Sequence, residues 1–179
     1  MYKNYCKRFL DFFAALFGLL FLSPIFVIVT IALFFANQGK PFFFQMRPGK
    51  NGGIFKIIKF KTMNDKKDTN GNLLPDAARL TNIGNFVRKT SLDELPQLIN
   101  VLKGEMSLVG ARPLSQARFN QFPEDLQQLR TQYKPGCFPP YVALLMGDEK
   151  SNIKAERIYF NEKQKSPFYT DIKYLFLAV

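Results

Sequence analysis

The chain contains no histidine and no tryptophan, and only two cysteines, among its 179 residues. Without histidine, the side chain that most often acts as a general base and the nitrogen ligand that zinc prefers are both missing. Cys6 and Cys137 match no metal-binding spacing, and we predict that they are free thiols in a reducing compartment. Any catalysis must therefore use carboxylates, basic side chains, hydroxyls or thiols.

Acidic residues are also scarce, with 14 Asp and Glu against 25 Lys and Arg, a formal net charge of +11. Such a surplus predicts an anionic partner, which can be nucleic acid, an anionic phospholipid membrane or a phosphorylated substrate. The sequence has no recognisable nucleic-acid reading motif or base-stacking platform. We therefore expect no nucleic acid and favour the membrane and the phosphorylated substrate.

Charge is absent altogether from Phe12 to Gly39, where most residues are Phe, Leu, Ile, Val or Ala. A straight helix of this length would measure roughly 40 Å, against a hydrocarbon core of about 30 Å. The stretch is too long for a cleavable signal peptide, and no small-residue cleavage pattern follows it. The sequence therefore predicts a membrane segment.

A break is predicted at Ser23-Pro24, in the middle of this segment. Pro24 has no N–H, so the carbonyl of Leu20 loses its helical partner, and the Ser23 hydroxyl is expected to bond to the carbonyl of Leu19. Basic residues, which favour the cytoplasmic side, flank both ends of the segment: Lys3, Lys7, Arg8, Lys40, Arg47 and Lys50. We interpret residues 1–38 as a re-entrant helix–break–helix with both ends cytoplasmic. An ordinary spanning helix with a proline kink remains the alternative.

Residues 39–179 are predicted to form a small cytoplasmic catalytic domain of the α+β class, mostly helical. Pro41–Met46 and Ile54–Met63 favour a β-hairpin, and the basic turn Arg47–Gly53 joins them. Leu92–Leu102 has the 3–4 apolar spacing of a helix. The remaining predictions are a mobile loop at Asn64–Ala78, a turn at Ser107–Pro113, and helices at Ile83–Arg88, Pro123–Tyr133, Ile153–Gln164 and Thr170–Val179, the last on the membrane surface. Asp11, one turn after Arg8, is expected to form a local ion pair.

Two adjacent carboxylates, Asp93 and Glu94, open the predicted helix just after the basic pair Arg88-Lys89. A carboxylate can attack phosphorus, or hold a divalent metal, without help from histidine. Ser91-x-x-Glu94 also matches a capping box, in which Glu94 only closes the helix N-terminus. The pair alone leaves catalysis and capping both open.

Basic residues in several segments could converge on this helix start: Lys59, Lys61, Arg88, Lys89 and Arg112. Cations around two carboxylates suit a diphosphate substrate with a metal ion. A solvated or membrane-facing basic surface is the alternative, but it explains Lys59 poorly because Lys59 interrupts an apolar strand. In the turn that contains Arg112, Gly110 permits a close backbone approach and Arg112 offers a bidentate fork for phosphate. A plain turn with an exposed arginine is the alternative there.

Together these segments resemble one family, the bacterial monotopic sugar transferases or small phosphoglycosyl transferases, over nearly the whole chain. The matching segments, in the family's order, are Lys7–Asp11, Leu22–Pro24, Lys59–Met63, Arg79–Thr81, Arg88–Gln97, Asn100–Gly110, Arg112-Pro113, Lys134–Gly136 and Asp171–Lys173.

The resemblance implies transfer of a sugar 1-phosphate from a UDP-sugar to polyprenyl (undecaprenyl) phosphate, giving polyprenyl-diphosphate-sugar and UMP. It implies Mg²⁺ as cofactor and a ping-pong mechanism with Asp93 as nucleophile and Glu94 as the metal ligand. Lys59, Arg88 and Arg112 would bind phosphate or orient Asp93. Ser23-Pro24 would form the re-entrant break that places the site at the headgroups of the bacterial inner membrane, on its cytoplasmic face.

The short chain looks like the minimal members that begin protein N-glycosylation of the campylobacter type. That likeness implies an N-acetylated, modified amino sugar, such as a diacetamido-trideoxyhexose, and downstream glycosyltransferases as further partners. Two positions depart from the family pattern. Ala111 replaces a usual proline, which should loosen the turn that presents Arg112, and Cys137–Pro140 replaces an Ile-Thr-Gly-Trp type of segment.

Two other functions remain open at the level of sequence. One is a membrane-bound UDP-sugar hydrolase, which would release UMP without a lipid acceptor. The other is a basic membrane-binding module without catalysis. The sequence also leaves open whether the native chain continues beyond Val179, because its last run stays apolar to the end.

Overall fold

The computed structural model describes residues 5–144 and 148–178, so the predictions that concern Lys3 and Val179 lie outside the described residues. Its helices are α1 Lys7–Phe21, α2 Ser23–Ala36, α3 Asp76–Arg79, α4 Asn82–Lys89, α5 Gln97–Lys103, α6 Gln116–Phe119, α7 Glu124–Gln132, α8 Pro140–Ala143, α9 Glu149–Lys165 and α10 Pro167–Ala178. Its strands are β1 Phe42–Pro48, β2 Ile54–Phe60, β3 Ser107–Val109 and β4 Gly136–Phe138, with 3-10 turns at Lys50–Gly52 and Leu92–Glu94. The predicted class, α+β and mostly helical, is confirmed.

The chain packs as two units, each with a buried apolar core. The first unit comprises the described residues up to Leu16, Met46–Lys56 and the described residues from Leu98 onward, and the second comprises Phe17–Gln45 and Ile57–Gln97. The core of the first unit includes Val109, Phe122, Leu126, Tyr159, Phe160 and Tyr174. The core of the second includes Val29, Leu33, Phe60 and Val87. The predicted boundary after residue 38 separates a membrane segment from a catalytic domain. The division into two packing units does not test that boundary.

The predicted break in the apolar segment lies at Leu22, between α1 and α2, and the two helices are bent by 65° there. The Ser23 hydroxyl donates a 2.8 Å hydrogen bond to the carbonyl of Leu20, not to that of Leu19 as predicted. Since Pro24 removes the N–H that would have reached Leu20, the hydroxyl replaces the missing donor. Among the described helices, none is long and apolar enough by itself to cross a membrane, whereas the bent pair α1 and α2 meets that criterion by length and composition.

Helix α2 uses one narrow face to pack and leaves the rest apolar and exposed. Val29 and Leu33 are buried in the core of the second unit. Asn37, at the end of the helix and 4% exposed, donates to the carbonyl of Lys61 just past β2. The exposed apolar residues of α2 are Ile25, Val27, Ile28, Ile31, Phe34 and Phe35.

At the start of α1, the expected ion pair has a different partner. Asp11 pairs with Lys7, four residues earlier, at 3.5 Å, and accepts a 3.2 Å hydrogen bond from the backbone N–H of Leu108. Arg8 instead donates to the carbonyls of Val101 and Leu102, at 2.5 and 2.6 Å. Both carbonyls lie in the last turn of α5, where that of Val101 also accepts a 2.9 Å hydrogen bond from the N–H of Gly104, so the guanidinium helps to cap the helix.

The predicted β-hairpin is confirmed as β1 and β2, joined by the turn around Lys50–Gly52. The turn predicted at Ser107–Pro113 is partly wrong, because its first residues form β3, which pairs in parallel with β4. Two three-residue strands are too short to show the alternating apolar pattern that identifies a strand in sequence. A Cβ atom on Gly136 would lie 2.1 Å from the backbone nitrogen of Gly110, so glycine is needed where the two backbones pass. Gly110 therefore permits a close backbone approach, and the backbone that approaches it is that of Gly136 in the same chain.

Lys163 on α9 gives a testable pH dependence of stability. Its side chain is 3% exposed and pairs with Asp171, which also lies 3.0 Å from Lys7. Burial, and next the charge of Lys7, lower the pKa of Lys163 from 10.5 to about 8. Between these values the unfolded chain binds a proton that the folded chain does not, so this contribution to stability rises with pH from about 8 to about 10.5.

We expect the unfolding free energy of the wild type, relative to Lys163→Met, to rise by at most about 1.4 kcal/mol per pH unit in that window. Urea unfolding in detergent at pH 7, 9 and 10 measures the difference, and groups common to both proteins cancel. A difference that is flat or falls with pH would show that Lys163 keeps its proton when buried.

Candidate active site

Asp93 and Glu94 lie on the 3-10 turn Leu92–Glu94, between α4 and α5. The helix predicted from Leu92 to Leu102 is therefore wrong at its N-terminal end, since α5 begins only at Gln97. Pro96, which has no N–H to donate, separates the turn from the helix. The two carboxylates thus stand on a tight turn ahead of the helix.

The capping box is also not formed. Ser91 adopts a left-handed conformation with φ of 56°, and its side chain makes no capping hydrogen bond. An N-cap residue needs an extended backbone to direct its hydroxyl at the first free N–H groups of the helix. The left-handed conformation at Ser91 removes that geometry, so Glu94 is not the partner of a capping serine.

Apolar residues on either side hold the turn in place. Leu92 and Leu95 pack against the core cluster that contains Phe60 and Val87. The side chains between them are partly open to solvent, with 18% of Asp93 and 25% of Glu94 exposed. The neighbouring leucines therefore fix the backbone, while the carboxylates stay accessible to a ligand.

Lys59 on β2 faces both carboxylates. Its Nζ atom lies 2.6 Å from Oε1 of Glu94 and 3.8 Å from Oδ2 of Asp93. Lys59 sits between buried Ile58 and Phe60, which anchor the strand on both sides, and 19% of its own side chain is exposed. A short charge-assisted contact in a partly desolvated position both neutralises and orients the carboxylates. The predicted convergence of Lys59, Asp93 and Glu94 is thus observed.

The other predicted basic residues are not all part of this cluster. Arg88 lies in the last turn of α4, exposed, in the same unit, and forms no ion pair within residues 5–144 and 148–178. Lys61 pairs with Asp65 at 2.5 Å. Lys89 is exposed at the end of α4.

Arg112 belongs to the first unit, where it has two neighbours that sequence reasoning did not connect with it. Its guanidinium donates to the hydroxyl of Tyr141 at 2.5 Å. Burial, and next the charge of Arg112, lower the pKa of Arg47 on β1. Guanidinium groups bind carboxylates and phosphates, so Arg47 and Arg112 are candidates for binding an anion. In the sequence, Arg47 stood out only as a basic residue that flanks the apolar segment and begins the turn Arg47–Gly53.

The carboxylates suit a hard cation shared with a substrate. No group of three or more His, Cys, Asp or Glu side chains that could hold a metal ion occurs in the described part of the chain. Mg²⁺ does not need one, because it commonly binds one or two carboxylates together with substrate phosphates and water. Asp93 and Glu94 provide oxygen ligands of this kind.

Comparison with known proteins gives one consistent family. The family model described as bacterial sugar transferase matches residues 2–179. The chain is 49% identical to the uncharacterized sugar transferase EpsL of Bacillus subtilis, over 73% of this chain and 64% of that protein. It is 41% identical to the galactosyl transferase CpsE of Streptococcus agalactiae, over 97% and 41% of the two chains.

A further relative is the UDP-glucose:undecaprenyl-phosphate glucose-1-phosphate transferase of Escherichia coli, 40% identical over 73% of this chain and 29% of that protein. The aligned region thus spans between 29% and 64% of the length of these three relatives.

Proposed function

The chain belongs to the bacterial sugar transferase family, and we propose that it transfers a sugar 1-phosphate from a UDP-sugar to a polyprenyl phosphate. The name of the Escherichia coli relative describes this reaction with glucose and undecaprenyl phosphate. The observation that carries the proposal is the contact of Lys59 with the adjacent carboxylates of Asp93 and Glu94. Together they can supply a nucleophile, a metal ligand and a phosphate-binding cation.

In the first step, an Oδ atom of Asp93 attacks the sugar-bearing phosphorus of the UDP-sugar. The bond from that phosphorus to the bridging oxygen breaks, and UMP leaves with the electron pair. The product is an aspartyl phosphosugar. Asp93 attacks as a carboxylate, which is the ordinary state of an aspartate at neutral pH, so the step needs no general base.

In the second step, a phosphate oxygen of the polyprenyl phosphate attacks the same phosphorus. The bond to Asp93 breaks, the carboxylate is restored, and polyprenyl-diphosphate-sugar is released. The acceptor is already anionic, so again no proton has to be removed. Neither step requires a general base, which explains how a chain without histidine can catalyse group transfer.

The basic residues would stabilise the negative charge that the reaction concentrates. Lys59 would bind the transferred phosphoryl group and hold Asp93 in place, while Arg88 and Arg112 would bind phosphates of the substrates. Glu94 would hold Mg²⁺, which supplies charge neutralisation for the diphosphate and for departing UMP. The oxygen ligands of the turn fit that ion.

The first measurement is UMP release from a panel of UDP-sugars, with and without polyprenyl phosphate and with and without Mg²⁺. Release that requires lipid and Mg²⁺ would support the transferase and identify the sugar. The names of the relatives include glucose and galactose. We propose an N-acetylated, modified amino sugar, such as a diacetamido-trideoxyhexose, as the donor sugar, and the panel tests it beside glucose and galactose. Release without lipid would indicate a hydrolase, and none from any sugar would favour a basic membrane-binding module.

Lys59→Gln is expected to lower kcat/KM for UMP release by about a hundredfold, the usual cost of losing one preorganised charge in a site. The matched control is Lys56→Gln, an exposed lysine on the same strand, which removes the same charge. A similar loss in both variants would indicate a general effect of charge on the strand. Loss in Lys59→Gln alone would support its place in the site.

We further propose that α1 and α2 form a re-entrant hairpin in the bacterial inner membrane, with both ends on the cytoplasmic face. The support is the 65° bend at the break and the apolar exposed surface of the pair. Large exposed apolar patches indicate contact with lipid or another protein.

Cysteine labelling tests this topology. Cys6 is exposed before α1, and Gln38→Cys would place a second reporter after α2, in a background with Cys137→Ser. An impermeant maleimide should label neither position in intact spheroplasts and both in inverted vesicles. Labelling of one position from each side would establish a spanning helix instead.

A further inference from the structure

The first unit contains a cavity of about 440 Å³ whose wall is strongly basic. This volume lies within the usual range for small-molecule sites. Among the described residues, its lining includes one carboxylate, that of Asp11, and six basic side chains: Lys7, Arg8, Lys50, Lys103, Lys134 and Lys163. None of the lining residues is among those assigned above to the transfer reaction.

Three of the six basic side chains are satisfied by the fold itself. Lys7 and Lys163 both pair with Asp171. Arg8 caps the C-terminal carbonyls of α5. These contacts explain their presence without any ligand.

Lys50, Lys103 and Lys134 make no such contact within the described residues; Lys134 is partly buried, and Lys50 and Lys103 are exposed. Within residues 5–144 and 148–178, no carboxylate oxygen lies within 4.0 Å of the Nζ atom of any of these three lysines. Burial lowers the pKa of Lys134, and the charge of Arg8 and, more weakly, those of Lys50 and Lys7 lower it further, against the opposing effect of Asp11. Lys134 is thus partly desolvated among like charges, while Lys50 and Lys103 add positive charge at the exposed part of the same wall.

We propose that this cavity is a second anion site, which binds a ligand carrying one or two phosphate groups. Three ammonium groups that have no carboxylate within 4.0 Å among the described residues match the charge of a phosphate monoester or a pyrophosphate better than that of a single carboxylate. Lysine binds phosphate as a point charge, without the planar fork that a carboxylate prefers. The concave shape and the volume fit a small headgroup and not an extended polyanion.

Two sources offer this chemistry, a soluble phosphate compound and the phosphate headgroup of a lipid. Lys7 and Arg8 begin the helix that leads into the apolar segment. The site therefore suits either source, and the shared requirement is the phosphate group. The experiment below separates the two.

Binding is measured on the full chain in detergent, without UDP-sugar or divalent cation, by titration calorimetry with pyrophosphate and separately with dihexanoyl phosphatidic acid. Lys50→Gln/Lys134→Gln is expected to weaken binding of whichever probe fits by at least tenfold. The matched control is Lys66→Gln/Lys67→Gln, which removes two exposed lysines from the second unit and is expected to change binding less than twofold. Lys103→Gln, exposed at the end of α5, provides a third variant with little risk to folding.

Hydrogen exchange locates the site. Either probe should slow backbone exchange at residues 101–104 and 132–136 in the wild type and in the control, and not in Lys50→Gln/Lys134→Gln. Preference for pyrophosphate would identify a soluble ligand, and preference for the phosphatidic acid a lipid headgroup. Equal loss in both double variants, no binding of either probe, or protection elsewhere would overturn the proposal. Because UMP release is assayed separately, failure here does not affect the transfer reaction.

Discussion

Asp93→Asn is expected to reduce UMP release by more than about a thousandfold, because an amide cannot form the covalent bond to phosphorus on which the mechanism depends. The substitution keeps the size of the side chain and the packing of Leu92 and Leu95 around the turn. The Lys59–Glu94 contact at 2.6 Å also remains available. The loss should therefore appear in kcat and not in the unfolding free energy.

The covalent step can be observed directly. Wild-type protein incubated with UDP-sugar and Mg²⁺, but without polyprenyl phosphate, should gain the mass of one sugar phosphate. Hydroxylamine should remove that mass, since it cleaves acyl phosphates. Asp93→Asn should gain nothing.

Asp125→Asn serves as the matched control, because Asp125 is an exposed carboxylate whose partner, Arg157, lies in the first unit. It should retain both the adduct and full turnover. Full turnover by Asp93→Asn would show that Asp93 is not the nucleophile. An adduct on another residue would identify that residue as the nucleophile and would leave the proposed overall reaction unchanged.

Arg130→Met is expected to lower the unfolding free energy by about 3–5 kcal/mol, the usual cost of leaving a buried charge without its partner. The Nε and Nη2 atoms of Arg130 lie 2.8 and 2.6 Å from the two carboxylate oxygens of Glu156. Only 7% of the Arg130 side chain and 3% of that of Glu156 are exposed. The same guanidinium stacks 4.8 Å from the ring centroid of Phe122.

A double-mutant cycle separates pairing from burial. Arg130→Met/Glu156→Leu should recover much of the stability lost in the single variant, because two apolar side chains leave no unpaired charge. Arg157→Met is the control, since that arginine pairs with Asp125 on the surface and should change stability far less. Equal losses in the single and double variants would show that the packing of the arginine, and not its charge, supports the core.

Arg130 also connects the core to a residue assigned to phosphate binding. Its Nη1 atom donates a 3.1 Å hydrogen bond to the backbone carbonyl of Arg112. Moderate concentrations of urea should therefore reduce the activity of Arg130→Met more than that of the wild type.

Structural features that depend only on residues adjacent in the sequence were predictable from it. Pro24 lacks an N–H wherever it is placed, so the break in the apolar segment followed from covalent structure, and only the acceptor of the Ser23 hydroxyl differed. The hairpin followed from a glycine-rich turn between two apolar runs. The contact of Lys59 with Asp93 and Glu94 was predictable because a lysine that interrupts an apolar strand needs a polar partner; the catalytic roles of these residues stay predictions.

Features that depend on distant residues were not predictable. The parallel pairing of β3 with β4, the left-handed conformation of Ser91 and the burial of Arg130 against Glu156 each require segments far apart in the chain. The predicted capping box at Ser91 and Glu94 was wrong for the same reason. A local pattern of residue types cannot show that the packing of Leu92 and Leu95 favours a turn over a helix. Arg47 was missed because its neighbour Arg112 comes much later in the chain.

The sequence by itself determined the chemistry available to this protein: no histidine, an excess of cations, adjacent carboxylates and a long apolar segment interrupted by proline. These are properties of composition and covalent structure, which folding cannot change. The tertiary structure alone decided which charges meet, placing Lys59 beside Glu94, Arg8 on the carbonyls of α5, and Lys50, Lys103 and Lys134 around one cavity. Charge interactions depend on distance and burial, and neither quantity is defined until the chain has packed.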